Sequence, residues 1–241
     1  MFRLALVAAM KHNTSIGVIM AAVSSRGNCY LCGAEANKTA IRNHIVKYHT
    51  GDKEADKQEC RIFKIEGAYN KEYWLYIDIP LVETIEEVDI FLRQVWLECC
   101  GHMSVFFYPK REEIGFKRKI KEFTAGEKFL HHYDFGTTTE TAITVMGNTW
   151  RQPQRKPVRL LARNIPPVFQ CKKCGKPACY ICSECANQSD NCFFCIECGK
   201  KHEDGEGRLL PVTNSPRMGE CGYGGEHDTF AFNPETIAIK P

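Results

Sequence analysis

Cysteine and histidine carry most of the chemistry this sequence could do. The chain has 241 residues and fourteen cysteines; nine of them fall between Cys171 and Cys221, and two form the Cys29/Cys32 pair. They come as C-x2-C pairs with histidines close behind. Two thiolates separated by two residues grip one metal ion from a tight turn, and zinc takes four such ligands in a tetrahedron. A disulfide framework belongs instead to small secreted domains. The spacing therefore predicts Zn2+ sites in a cytoplasmic protein.

Near the N-terminus, Cys29, Cys32, His44 and His49 read C-x2-C-x11-H-x4-H. This is one residue shorter in the middle than the common finger spacing. A turn would hold the two cysteines, and a helix over Thr39–Tyr48 would project the two histidines. Ile41, Ile45 and Tyr48 supply a small apolar face. A segment this short needs the metal to fold. Aligned as a base reader, it would present Asn37, Ala40 and Asn43, and Asn can read adenine. A single finger reads equally as a nucleic-acid contact or as a structural docking unit.

The C-terminal cysteines lay out as four pairs: Cys171/Cys174, Cys182/Cys185, Cys195/Cys198 and His202/Cys221. Eight ligands complete two zinc sites, either sequential or interleaved. The interleaved order is preferred, the first pair sharing a metal with the third and the second with the fourth. Gly175 and Gly199 follow the second cysteines of pairs one and three, where Gly relieves a strained knuckle turn. Cys179, Cys192 and His227 are left in reserve, and Cys192 competes with Cys198 as the partner of Cys195. With the finger, this makes twelve ligands and about three zinc ions per chain.

A further constellation, Cys99, Cys100, His102, His131 and His132, offers either packing or a metal or catalytic role. A Cys–His pair is catalytic only if an imidazolium lowers the thiol pKa. There is no phosphate-binding loop, no G-x-S-x-G and no paired-carboxylate signature. Four-ligand zinc sites leave no position for water and favour folding over catalysis. The functional expectation is a non-enzymatic binding or scaffold protein contacting nucleic acid or a protein partner. The alternative is an enzyme built around Cys99/Cys100/His102 and His131/His132.

The elements that must position these groups divide the chain into four parts. Residues 1–25 form a leader, expected to be disordered, with Met20 an alternative start. Its apolar run is too short to span a bilayer, so no membrane partner is expected. Residues 26–52 are the finger, 60–165 an α+β core and 168–230 a cysteine-rich two-zinc module. Within the core, Arg61–Glu66 and Tyr73–Ile79 read as strands, with Tyr73, Leu75, Ile77 and Ile79 on one side. Thr84 and Glu87 suggest a capping box. Ile85, Val88, Leu92, Val95, Trp96 and Cys99 recur at helical spacing, and Gly101 ends the helix. Met103–Tyr108, Phe129–Phe135, Thr139–Met146 and Pro157–Ala162 read as further strands. Apolar residues make up 44% of the chain and charged residues 25%, as in ordinary globular proteins. A net charge of +3 is too mild to imply nucleic acid by itself. Basic runs at Lys110–Lys121 and Arg151–Arg163 read as solvated faces or as surfaces lying on phosphates.

Two segments carry a resemblance to a known family. Trp96-Leu97-Glu98-Cys99-Cys100-Gly101-His102-Met103-Ser104 and Tyr133-Asp134-Phe135-Gly136 resemble the plasmid pRiA-type ORF-like family, also called transposon passenger TnpR-like proteins. Members with a similar cysteine region carry a segment like Asn214-Ser215-Pro216-Arg217-Met218-Gly219, then Cys221-Gly222-Tyr223. The resemblance spans roughly residues 60–223. It implies a compact α+β sandwich with a mixed sheet and carries no established activity. Where the family usually has a Trp and a His or acidic residue, Thr137, Thr138, Thr139 and Glu140 stand here. The expected fold class is thus an α+β, mixed-sheet α/β sandwich. An N-terminal ββα-like zinc finger and a C-terminal zinc-ribbon or cross-brace-like module flank it.

Overall fold

The computed structural model describes residues 25–110, 112–186, 191–202 and 209–236. The expected leader lies outside these residues, Ser25 excepted. Among the described residues, no helix is long and apolar enough to cross a membrane.

The first strands, β1 (Arg26–Cys29) and β2 (Glu35–Asn37), form a hairpin that leads into helix α1 (Lys38–Tyr48). The Asn37 side chain caps this helix by accepting from the Ala40 N–H at 2.9 Å. Then come β3 (Gln58–Gly67), β4 (Trp74–Pro80) and helix α2 (Glu86–Leu92). Strands β5 (Ser104–Phe107), β6 (Glu113–Ile114), β7 (Lys128–Tyr133), β8 (Thr139–Arg151) and β9 (Arg159–Asn164) follow. Together the strands make a nine-stranded sheet in the order β2-β1-β9-β4-β3-β8-β7-β5-β6. Every pairing in it is antiparallel, so the expected mixture of strand directions is corrected. Turns join the sequential pairs β1–β2, β3–β4, β5–β6 and β7–β8, as antiparallel neighbours allow, and the other pairings are long-range.

The sheet carries a core on each face around β4. On one, Leu75, Ile77 and Ile79 of β4 meet Ile85, Val88, Leu92, Val95 and Trp96, together with Phe63, Phe106 and Phe129. On the other, Trp74 and Tyr76 of the same strand meet Ile41 and Ile45 of α1 and Leu161. Alternation along β4 supplies both layers, which is why all seven of its residues are buried. The finger segment is therefore not a free-standing unit: β1 pairs with β9 and α1 covers the sheet. Tyr48, expected on the apolar face of α1, is 62% exposed instead.

Two local expectations change. The capping box at Thr84 and Glu87 does not form; the Thr84 carbonyl accepts from the Glu87 N–H and Thr84 bridges to Lys119. The expected continuous helix to Cys99 ends early. After Leu92 the backbone widens into a π turn over Arg93–Leu97, where the Glu98 N–H donates to the Arg93 carbonyl. Widened turns of this kind re-aim the residues that follow. Glu98 leaves in an extended conformation, and the chain turns at Gly101.

The C-terminal region builds a second, three-stranded sheet in the order β11-β10-β12, from β10 (Tyr180–Cys182), β11 (Phe193–Phe194) and β12 (Leu209–Pro211). Two short helices, α3 (Ser183–Ala186) and α4 (Ile196–Lys200), accompany it. Its core is small: Phe169, Ile181, Cys192 and Phe193. Beyond β12 the chain returns to the large sheet as a strap. Ser215 donates to the Trp96 carbonyl, Arg163 pairs with Asp228, and Phe230 packs edge-on against Phe91.

Candidate metal centres

Among the described residues, four groups of Cys and His bring their ligand atoms within 4.8 Å of one another, each a set that could hold a metal ion. The first joins Cys29, Cys32, His44 and His49. Cys29 ends β1 and Cys32 lies in the hairpin turn, where Gly33 takes a φ of +79°. The two histidines project from the end of α1. Cys32 Sγ lies 3.1 Å from His44 Nε2 and 3.4 Å from His49 Nε2, and the two Nε2 atoms are 3.0 Å apart. Ligands on a tetrahedral zinc are spaced about 3.4 to 3.8 Å apart, given metal–ligand bonds of about 2.0 to 2.3 Å. Burial pushes the Cys29 thiol up to about 11. A divalent cation would have to overcome that by drawing the thiolate form.

The second group joins Cys171, Cys174, Cys195 and Cys198. It unites the first and third C-terminal pairs. Cys174 and Cys195 sulfurs are 3.6 Å apart, far beyond a disulfide bond of about 2.05 Å. The turns that present these ligands match the first group in their backbone hydrogen bonds. Gly33 N–H donates to the Cys29 carbonyl, Gly175 to Cys171 and Gly199 to Cys195. The Cys29 N–H donates to Ala34 and the Cys171 N–H to Lys176. Gly175 supplies a φ of +71°, as a knuckle turn requires. Gly199 has a different reason: a Cβ there would come within 3.2 Å of Leu209 and 3.3 Å of Tyr180.

The third group has three described members, Cys182, Cys185 and His202. Cys185 Sγ lies 3.2 Å from His202 Nε2, and the Cys185 N–H points at Cys182 Sγ. Cys221, placed with them by the order of pairs along the chain, is elsewhere. The strap carries it to the large sheet, where it joins Cys99, Cys100 and His102 as the fourth group. The reserve residues stay outside all four groups. Cys192 is buried in the small core, its thiol pushed up to about 11 by burial, with a carbonyl accepting from the Cys182 N–H. Cys179 points at the Phe194 carbonyl, and His227 is exposed.

The constellation around Cys99 does not gather as one site. His131 and His132 are adjacent on β7 and so point to opposite faces. His131 is fully buried beside Asp89 at 2.7 Å, and burial lowers its pKa, keeping it neutral. His132 faces the other way. It pairs with Glu140 in a cleft of about 450 Å³ lined by Val105, Phe107 and Leu130. Only Cys99, Cys100 and His102 come together, and their partner is Cys221. The local cue was the C-C-G-H run around a left-handed Gly101. Nothing local indicated a ligand 119 residues further on.

Five cations of the basic runs form ion pairs within the fold, Arg118 with Glu122 among them. Arg151 and Arg159 both pair with the buried Asp78, and Arg163 pairs with Asp228. Lys117 pairs with Glu86, and Arg118 lies over the Tyr108 and Phe123 rings.

No protein-family model matches this chain, and no curated protein matches it. Among solved structures it is similar to a protein of unknown function from Methanosarcina mazei Go1, at 17% identity and a TM-score of 0.35, over 44% of this chain and 68% of that chain.

Proposed function

We propose that the chain is a zinc-dependent, non-enzymatic binding protein of the reducing cytoplasm, in which zinc holds both ends of the molecule in shape. The observation that carries this reading is the crossed C-terminal group. Cys171/Cys174 and Cys195/Cys198 converge although Cys182 and Cys185 lie between them in sequence. A crossing of this kind is the ligand layout of a cross-brace, and the first group has the ligand layout of a ββα finger. Thiolate-rich donor sets of this type suit zinc over hard cations. Membership of the pRiA-type family belongs to the same reading. Its motif residues lie side by side, with Tyr133 bonded to Glu98, Arg217 to Asp134, and His102 beside Cys221.

The surface best suited to a partner is the outer face of α1. It exposes Arg42, Asn43, Lys47 and Tyr48, and the helix carries no carboxylate. Such a face fits a nucleic-acid backbone, with Tyr48 able to stack on a base. Asn37 is engaged as the helix cap, which removes it from the candidate base readers.

Elemental analysis of the purified chain tests the metal reading. Cys32→Ser and Cys174→Ser should each lower the zinc content by one equivalent. Retention of the full content by either variant would refute its site. Fluorescence anisotropy with labelled duplex DNA and RNA tests the partner. Affinity should fall steeply with salt and drop on Arg42→Glu/Lys47→Glu. Absence of binding to both at low salt would leave a protein partner as the reading.

A further inference from the structure

We infer that Cys99, Cys100, His102 and Cys221 form an additional zinc site of the Cys3His type, which clasps the C-terminal strap to the large sheet. It goes beyond the two zinc-held ends, because it shares no ligand with the finger group or the crossed group.

The ligand atoms all lie within 4.8 Å of one another, and His102 Nε2 is 3.2 Å from Cys221 Sγ. None of the three sulfurs is in a disulfide. Three thiols and an imidazole gathered this closely have no apolar reason to meet, since Cys100 and Cys221 are exposed. The backbone also bends to bring them together. Cys221 has a φ of +44°, in the left-handed region, and Gly101 and Gly222 beside the ligands are left-handed as well. A non-glycine residue held there is strained, and such strain concentrates at ligand sites.

The surroundings are built to hold the ligands. Glu98 accepts from the Gly101 N–H and from Tyr133, which fixes the loop carrying Cys99 to His102. The His102 ring stands edge-on to Tyr133. Arg217 is fully buried and donates to Asp134 at 2.8 Å and to Thr139 at 3.0 Å. It also donates to the Thr137 carbonyl at 3.1 Å, and its Nη2 lies 3.4 Å from Cys99 Sγ, a donor aimed at a sulfur. Oriented donors around metal ligands are the usual support of such sites. The Arg217 guanidinium, shared between Asp134 and Cys99, would donate to the Cys99 thiolate of a Cys3His zinc centre. On binding, each thiol gives up its proton to solvent and its sulfur lone pair goes to the metal. Arg217 and Cys221 lie on one strap, so the metal would close what the buried guanidinium anchors.

The test uses the full chain and Zn2+, read as zinc per chain, with Co2+ substitution as the spectroscopic probe. Cys100→Ser and Cys221→Ser should each lose one zinc, and the double variant should lose one, not two. The wild-type Co2+ thiolate charge-transfer band should weaken by one site's share. Cys100→His should keep the zinc and shift the cobalt spectrum, which separates ligand loss from misfolding. Full zinc content in Cys100→Ser overturns the site. A loss in Cys221→Ser alone also overturns it, because it would return Cys221 to Cys182, Cys185 and His202. Normal loss in Cys32→Ser and Cys174→Ser together with full zinc in Cys100→Ser would sink this inference alone. The reverse pattern would sink the two-ended reading and leave this site standing.

Discussion

Asp89 is where three donors meet. Ser104 donates to it at 2.7 Å, Arg93 at 2.8 Å, and the fully buried His131 at 2.7 Å. Burial opposes its ionisation, but the hydrogen bonds from His131, Ser104 and Arg93 overcome this and hold its carboxyl down at about 2. A depressed carboxylate stabilises the fold above its unfolded pKa of about 4, and that stability fades as pH falls toward the folded value. The contribution is about 2 kcal/mol at neutral pH. Urea unfolding should show Asp89→Asn less stable by about that amount at pH 7. The gap to wild type should close as pH falls from about 4 to about 2. A gap independent of pH would mean that Asp89 acts through packing alone. The same network steadies the fourth metal group, because Arg93 also donates to the His102 carbonyl.

The hairpin of β1 and β2 is the element that joins metal and sheet. Gly27 lets β1 lie against its neighbours: a Cβ there would stand 2.3 Å from the Trp74 ring and 2.4 Å from the Arg163 carbonyl oxygen. The backbone oxygen cannot swing away as a side chain can. Gly27→Ala should therefore cost about 1 to 3 kcal/mol, as over-packing does. It should lower the melting temperature and loosen hydrogen exchange in β1 and β9. An unchanged melting temperature would show that the hairpin tolerates displacement from β9. Helix α1 depends on the same contact surface, since Ile41 and Ile45 pack on Trp74 and Tyr76. That packing supports α1 independently of any metal held by Cys29, Cys32, His44 and His49.

At the scale of the whole molecule, the two ends differ in the core beneath their candidate metal groups. The large sheet has two extensive cores, whereas the core cluster of the C-terminal sheet has four buried residues among the described ones. A core that small cannot offset the entropy of ordering its chain without a cross-link. Treatment with a high-affinity zinc chelator should expose residues 168–202 to trypsin first, while the far-UV signal of the large sheet persists. Loss of both in one transition would show that the strap couples them. Charge is distributed to the same end. Pairing of Arg151, Arg159 and Arg163 with Asp78 and Asp228 makes the second basic run a set of internal clamps. The outer face of α1 keeps Arg42 and Lys47 exposed, the surface proposed above for a partner.

The sequence by itself determined the C-x2-C pairs and the Cys and His residues of the finger segment, because two-residue spacing and a following glycine are local features of a turn, but left open which C-terminal pairs converge. It also showed six of the nine strands of the large sheet, whose alternation is local too, and missed the short β1, β2 and β6. It could not decide where Cys221 goes. Chain order placed that cysteine with His202, but the strap, anchored by buried Arg217 against Asp134 and Thr139, carries it to Cys99, Cys100 and His102. Nor could spacing show that β7 splits His131 from His132, that β1 extends the large sheet, or that the arginines of the second basic run are consumed by ion pairs. These depend on long-range packing, in which a side chain's neighbours are set by burial and strand pairing and not by sequence distance.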